Sequence, residues 1–306
     1  MSTVLQVENL SHRYSSAWAI RDISFEIAQT GVVGLLGSNG AGKSTTMNII
    51  CGVLNQTEGA VYINGIDKRK DPRLAKTQIG FLPQLPPLYT DFTVNEFLTY
   101  AADMRLIDKK NTRKVVAEVM DRTGIAHFSS RLIKNLSGGY RQRVGIAQAI
   151  IHKPAIVVLD EPTNGLDPNQ IIEARKLIKE ISLDHTVLLS SHVLSEINLL
   201  CRDIIMIEGG RIVFSESMDA FNNYMKPQAM MLLMDNPPAD EEFLSLEGIT
   251  RVEHLADKKR RLFFSGSPDI TETVIGESVR KNWELREIKL EKSLLDDVFK
   301  QLSNQS

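Results

Sequence analysis

Residues 37–46 of this chain read Gly37-Ser38-Asn39-Gly40-Ala41-Gly42-Lys43-Ser44-Thr45-Thr46. An apolar β-branched run, residues 32–36, leads in, and a helix-compatible run ending near Leu54 leads out. Strand, glycine-rich loop and helix in that order make an anion cradle. Glycines let successive backbone N–H groups converge on phosphate, and the helix N-terminus adds a favourable dipole. Gly37, Ser38, Asn39, Gly40, Ala41 and Gly42 would wrap the phosphates, with Lys43 reaching the β- and γ-phosphates. The Ser44 hydroxyl suits Mg²⁺, and Thr45 and Thr46 are placed for the α-phosphate end.

A second chemical element is Ile156-Val157-Val158-Leu159-Asp160-Glu161, an apolar run closed by two carboxylates. If the run is a buried strand, both acids stand at its C-terminal edge, where open α/β sheets bind ligands. Read alone, Asp-Glu-Pro-Thr fits equally well as a loop start or helix cap. A phosphate loop in the same chain changes the balance. Asp160 then holds Mg²⁺ through its water shell, and Glu161 polarises the water that attacks the γ-phosphorus.

Between the two lies Leu136-Ser137-Gly138-Gly139-Tyr140-Arg141-Gln142-Arg143. In isolation this is an N-capped helix start. Together with the other two motifs, in this order, it makes the chain resemble the ATPases of ABC transporters over about residues 3–218. The resemblance implies an α/β P-loop NTPase core of ABC type with an inserted helical subdomain, ATP and Mg²⁺ as cofactors, and hydrolysis coupled to a separate membrane permease. It also implies a head-to-tail dimer, homodimer or heterodimer. Ser137, Gly138 and Gly139 of one subunit would act in trans on ATP held by the phosphate loop of the other.

Further residues follow from the same likeness. Gln84 resembles the Q-loop glutamine that reaches metal and water, and Asn164-Gly165-Leu166-Asp167 resembles the D-loop that crosses the dimer. His192, in Ser190-Ser191-His192, matches the switch histidine at the γ-phosphate. The catalytic set is then Lys43, Gln84, Glu161 and His192, with Ser44, Gln84 and Asp160 toward the metal. Tyr14 resembles the aromatic that stacks on adenine, though the nearby Trp18 competes for that role. Ser38 stands where proline is common, and Tyr140 where glutamine is frequent. Gln84-Leu85-Pro86-Pro87-Leu88-Tyr89 and Tyr140-Arg141-Gln142-Arg143 resemble the bacterial branch serving drug, antibiotic, copper or gliding-machinery exporters.

The elements that must position these groups are legible as apolar runs. Strand-like runs at 4–7, 23–27, 32–36, 61–63 and 79–82 precede a helical region, and more follow at 156–159, 187–189 and 204–207. This predicts an α/β core with parallel strands, helices on both faces, and a helical insert at about 88–153. Near Asp219 the pattern changes. Residues 219–306 read as a small α+β domain, broken at Asp235-Asn236-Pro237-Pro238 and either regulatory or dimer-stabilising. Met230 to Met234 reads as a strand, Lys258-Lys259-Arg260-Arg261 as a solvated hairpin turn, and Leu294, Leu295, Val298 and Phe299 as one helical face capped by Ser293.

Composition sets the outer limits. The 306 residues are 42% hydrophobic and 24% charged, an ordinary globular mix, and the net charge of -2 draws nothing toward nucleic acid. No apolar run approaches the roughly 20 residues that cross a bilayer. Without a secretory leader pattern, the expected place is cytoplasmic, peripheral on the inner membrane face through the permease. Cys51 and Cys201 lack metal spacing and are assigned no role. ABC ATPases of DNA repair or translation carry coiled-coil insertions, zinc modules or fused cassettes, none of which is written here. A dead nucleotide-binding protein would be expected to lack Lys43 or Glu161.

Overall fold

The structure, a computed structural model, describes residues 3–28, 30–224, 229–265 and 270–291. It divides into two compact units, Met1–Met218 and Asp219–Gln305. In chain order the first carries β1 (Leu5–Tyr14), β2 (Ala17–Ile27), β3 (Gly31–Leu36), α1 (Lys43–Ile50), β4 (Glu58–Ile63), β5 (Ile66–Asp67), α2 (Pro72–Thr77) and β6 (Ile79–Leu82). There follow α3 (Val94–Met104), α4 (Lys109–Arg122), α5 (Gly138–Ile150), β7 (Ile156–Asp160), α6 (Pro168–Ile181), β8 (Thr186–Ser191), α7 (Leu194–Leu200), β9 (Asp203–Glu208) and β10 (Arg211–Ser217). A helix α8 (Met218–Tyr224) starts at the boundary.

Six strands form the central sheet in the order β10-β9-β3-β8-β7-β6, parallel except for β10. Every residue of β7 and β8 is buried. Such unbroken apolar runs belong to strands covered on both faces. The register decides the site. Leu36 pairs with Ser191 and Asp160 with Ser190, so the loops after β3, β7 and β8 all leave from one edge.

One face of this sheet departs from the expected helical cover. Strands β1, β2, β4 and β5 form a second, antiparallel sheet in the order β2-β1-β4-β5. Its Leu5, Val7, Ile20, Ile23, Val61 and Ile63 share one core with Val33, Leu35, Ile156, Val158, Leu188 and Ile205 of the central sheet and Met47, Ile49 and Ile50 of α1. The phosphate-loop helix is thus embedded in a sheet-helix-sheet core. On the other face, a Cβ on Gly34 would lie 2.8 Å from Ile197 of α7. The end of α1 is capped by the buried Lys68, which donates to the carbonyls of Ile49 and Leu54. Burial lowers its pKa to about 8.

The insert is a helical layer of α3, α4 and α5. Thr93 and Glu96 form a reciprocal capping box at the start of α3, fixing where the insert leaves its loop. Hydrogen bonds donated by the Thr93 N–H and hydroxyl hold the Glu96 carboxyl below its ordinary pKa. Helix α5 lies against β6 so closely that a Cβ on Gly80 would sit 2.1 Å from the Ala149 carbonyl oxygen. Only glycine allows that approach.

The second unit comprises β11 (Ala229–Met234), α9 (Asp240–Leu244), β12 (Ile249–Ala256), β13 (Lys259–Phe264), α10 (Ile270–Arg280) and β14 (Leu285–Glu291). Sheet order β12-β13-β11-β14 with this β-α-β-β-α-β sequence is the ferredoxin-like split arrangement. Its core is its own: Met230, Leu232, Met234, Phe243, Leu262, Phe264, Val274 and Trp283. The basic run is only partly a solvated turn. Arg260 is buried and donates to the carbonyls of Ala256, Asp257 and Lys259, and Arg261 pairs with Glu253 and Glu291. The segment with Leu294, Leu295, Val298 and Phe299 lies outside the described residues.

Candidate active site

The glycine-rich loop leaves β3 and enters α1 at Lys43. Gly42 caps that helix at φ 110°, and a Cβ there would lie 2.5 Å from Ile20 Cγ2, so both dihedral and space call for glycine. Lys43 is 5% exposed, and its Nζ donates to the carbonyls of Gly37 at 2.9 Å and Ser38 at 3.0 Å. The lysine therefore laces the loop over itself. Burial pulls its pKa below the ordinary value, against the opposing pull of the Glu161, Asp160 and Glu208 carboxylates. Ser38 donates to Glu208 at 2.9 Å, tying the loop to the end of β9.

Across the sheet edge, Asp160 is buried and accepts a hydrogen bond from Ser190 Oγ at 2.6 Å. Glu161 follows with φ 47°, a left-handed backbone that non-glycine residues rarely adopt, and its N–H donates to the same Ser190 oxygen at 2.8 Å. That strain aims its carboxylate across the edge. Glu161 Oε1 comes within 3.9 Å of Lys43 Nζ and 3.1 Å of His192 Nδ1. A groove of about 370 Å³ is lined by Asn39, Gly40, Gly42, Lys43, Ser44, Thr45, Gln84 and Glu161. The loop after β3, the segment after β6 and the residue after β7 thus meet around one opening, with Ala19 of β2 beside them.

Other candidates stand elsewhere. Thr46 is fully buried and donates to the Gly42 carbonyl, so its hydroxyl stabilises α1 and faces no groove. Ser137 is the N-cap of α5, but its hydroxyl makes no capping bond; Ser137 and Gly139 line a separate cavity with Gln142, Leu166 and Gln170. They do not join the Lys43 groove of their own chain. Tyr14 ends β1 half-exposed, with its ring edge-on to His12 at 4.8 Å. Trp18 carries the Arg21 guanidinium over its ring at 4.9 Å, a cation–π contact. Cys51 and Cys201 are buried free thiols whose pKa burial raises, to about 12 for Cys201.

Comparison with known proteins decides the family. The family described as ABC transporter matches residues 20–164. The bacitracin transport ATP-binding protein BcrA of Bacillus licheniformis is 32% identical over 292 residues, covering 90% of this chain and 94% of that protein. This chain is an ABC transporter ATP-binding protein. An uncharacterized ABC transporter ATP-binding protein of Bacillus subtilis, YxlF, is 36% identical over 68% of this chain and 69% of its own length. A dimeric ATP-binding cassette in a post-hydrolysis state, bound to ADP and phosphate, superposes with TM-score 0.63 at 25% identity, over 70% of this chain and 98% of that one.

As members of this family do, the protein binds and hydrolyses ATP and works with membrane permease partners. Among the described residues, no helix is long and apolar enough to cross a membrane. None of them forms a ready cage of three or more His, Cys, Asp or Glu side chains for a metal. An ABC ATPase needs none, because magnesium takes one or two protein oxygens and completes its shell with phosphate and water. Ser44 and Gln84 on the groove wall and Asp160 at the edge are oxygen donors of that kind.

Sequence reading passed over several residues that the ABC fold brings to this edge. Ser190 supports both acids, Gln142 of the signature helix donates to the Pro162 carbonyl at 2.9 Å, and Glu196 gathers Thr163, Arg175 and Ser191. The one available signal was the Ser-Ser pair before His192. Side chains alternate along a strand, so adjacent serines must serve opposite faces.

Proposed function

We propose that this chain is the motor subunit of an exporter for a peptide antibiotic of the bacitracin kind, working as a homodimer. The substrate class rests on the bacitracin transport relative, whose similarity runs through both units. Lys43 and the loop from Gly37 to Thr45 hold the triphosphate, and Tyr14 stacks on the base. Bound Mg²⁺, with Ser44, Gln84 and Asp160 as its protein partners, would offset the charge of the phosphates. Glu161 accepts a proton from the water that attacks the γ-phosphorus, and His192 beside it holds the γ-phosphate. Ser137, Gly138 and Gly139 serve the partner's nucleotide, their helix N-terminus facing its γ-phosphate.

The observation that supports this reading is Glu161 on the groove wall, its Oε1 within 3.9 Å of Lys43 Nζ and 3.1 Å of His192 Nδ1. A carboxylate so placed can take a proton beside a bound phosphate. Replacing it with an amide should stop turnover without stopping binding. Glu161→Gln should bind ATP, turn over very slowly, and accumulate as a closed dimer by sedimentation or light scattering. A variant that stays monomeric at saturating ATP, alone and mixed with a partner ATPase, would sink the trans arrangement. The second unit we propose to be dimer-stabilising or regulatory.

A further inference from the structure

We infer that Glu196 is a positioning residue for hydrolysis, locking the turn that carries His192 to the segment that follows Glu161. This rests on the catalytic reading of Glu161 and His192 above. The Glu196 side chain belongs to α7 and is only 6% exposed, yet it touches no nucleotide groove. Its Oε2 accepts hydrogen bonds from Thr163 Oγ1 at 2.6 Å and Ser191 Oγ at 3.2 Å, and its Oε1 lies 3.4 Å from Arg175. Thr163 sits two residues beyond Glu161, Ser191 one before His192, and Arg175 in the helix that the 164–167 loop enters. One buried carboxylate therefore gathers three segments that must move together.

The hydrogen-bond directions make the link specific. Ser191 Oγ also accepts the Val193 N–H at 3.0 Å, bracketing His192 in a tight turn. A hydroxyl has one proton, and while Glu196 takes it the oxygen's lone pairs face the turn. Loss of that acceptor frees the hydroxyl to rotate and slackens the turn. At Thr163 the same oxygen fixes the start of the loop that runs through Asn164 and Gly165 to Asp167. Asp167 in turn caps α6 by accepting the Gln170 N–H. Displacing that loop therefore displaces His192 through Glu196.

The test compares full-length Glu196→Ala, Glu196→Gln, Thr163→Val and Ser191→Ala with the wild type for MgATP affinity, kcat, KM and melting temperature. Misplacing a catalytic group by about an ångström can cost about a hundredfold, so Glu196→Ala should lower kcat by roughly tenfold or more with affinity little changed. Glu196→Gln should recover most of it, because the amide oxygen still accepts both hydroxyls. The Thr163→Val, Ser191→Ala pair should lose less than the product of the single losses. Unchanged kcat in Glu196→Ala with a lowered melting temperature overturns the inference, as does a Gln variant no better than Ala. Should Glu196→Ala fail to fold, Thr163→Val and Ser191→Ala carry the same test: kcat loss at unchanged affinity supports it, and unchanged kcat overturns it. Glu161→Gln is run alongside. If it keeps wild-type turnover the catalytic reading falls and this inference with it; if it loses turnover while Glu196→Ala does not, only the inference falls.

Discussion

Ser190 and Asp160 are cross-strand partners of β8 and β7, and the Ser190 hydroxyl donates to Asp160 at 2.6 Å while accepting the Glu161 N–H at 2.8 Å. One side chain thus fixes the orientation of the first carboxylate and the strained backbone of the second. Ser190→Ala leaves a buried carboxylate and a backbone N–H each short of a partner. It should destabilise the protein by about 1–3 kcal/mol. ATPase turnover should fall by more than tenfold, roughly, as Glu161 relaxes from its φ of 47°. Chemical denaturation and steady-state turnover together check both arms; full activity would show that the strain is not used.

Lys43→Ala removes the ammonium that the triphosphate would meet and also frees the Gly37 and Ser38 carbonyls it now binds. A hydrogen bond to a charged group is worth about 1.5–3 kcal/mol, so MgATP affinity should fall by roughly 10- to 100-fold. Titration with a fluorescent nucleotide would measure it. Unchanged affinity would remove the loop from phosphate binding.

His152 supplies a pH test that lies away from the groove. Its Nε2 donates to the Ile79 carbonyl at 3.1 Å, while its buried Nδ1 has no partner. Burial, helped by the nearby Arg105 charge, lowers its pKa from 6.5 to about 4. Between those values the unfolded chain binds the proton and the folded one does not, so stability is lost as pH falls from 6.5 toward 4. The loss should be on the order of 3 kcal/mol. His152→Gln keeps a donor for Ile79 and should flatten this part of a pH–stability curve. An unaltered slope would assign the acid sensitivity to other groups.

Cutting the chain after Met218 separates two units that each have a core. The fragment should be soluble and bind MgATP within about twofold of the full chain. If the second unit stabilises the dimer, the fragment's specific ATPase activity should drop on dilution and recover with concentration by mass action. Parallel dilution curves would exclude that role.

The chemistry was legible in the sequence wherever its parts are contiguous. Residues 37–45 take their shape from local geometry, because glycine φ values, a helix N-terminus and a following lysine are set within ten residues of chain. The two acids were legible for a related reason: an apolar run must end at an edge, and what ends it stands there. Thr46 shows the limit, since its neighbours face the groove while helical geometry turns it back to Gly42.

What the sequence by itself determined is therefore the inventory: a glycine-rich loop between strand and helix, an acidic strand end, a helix opened by Ser137-Gly138-Gly139 and a histidine just past a strand. Only the tertiary structure decided how they meet. The order β10-β9-β3-β8-β7-β6 sets β8 between β3 and β7, though some 150 residues separate β3 from β8 in the chain. No local propensity encodes that adjacency. It comes from the way apolar faces are buried together, including the unforeseen antiparallel sheet that encloses α1 with the central one. Ser190, Ser191 and Glu196 are ordinary polar residues in the sequence. They gain their roles because parallel register sets one serine against Asp160, and because folding brings the other, bound to the Val193 N–H, to the Glu196 carboxylate beside Thr163 and Arg175.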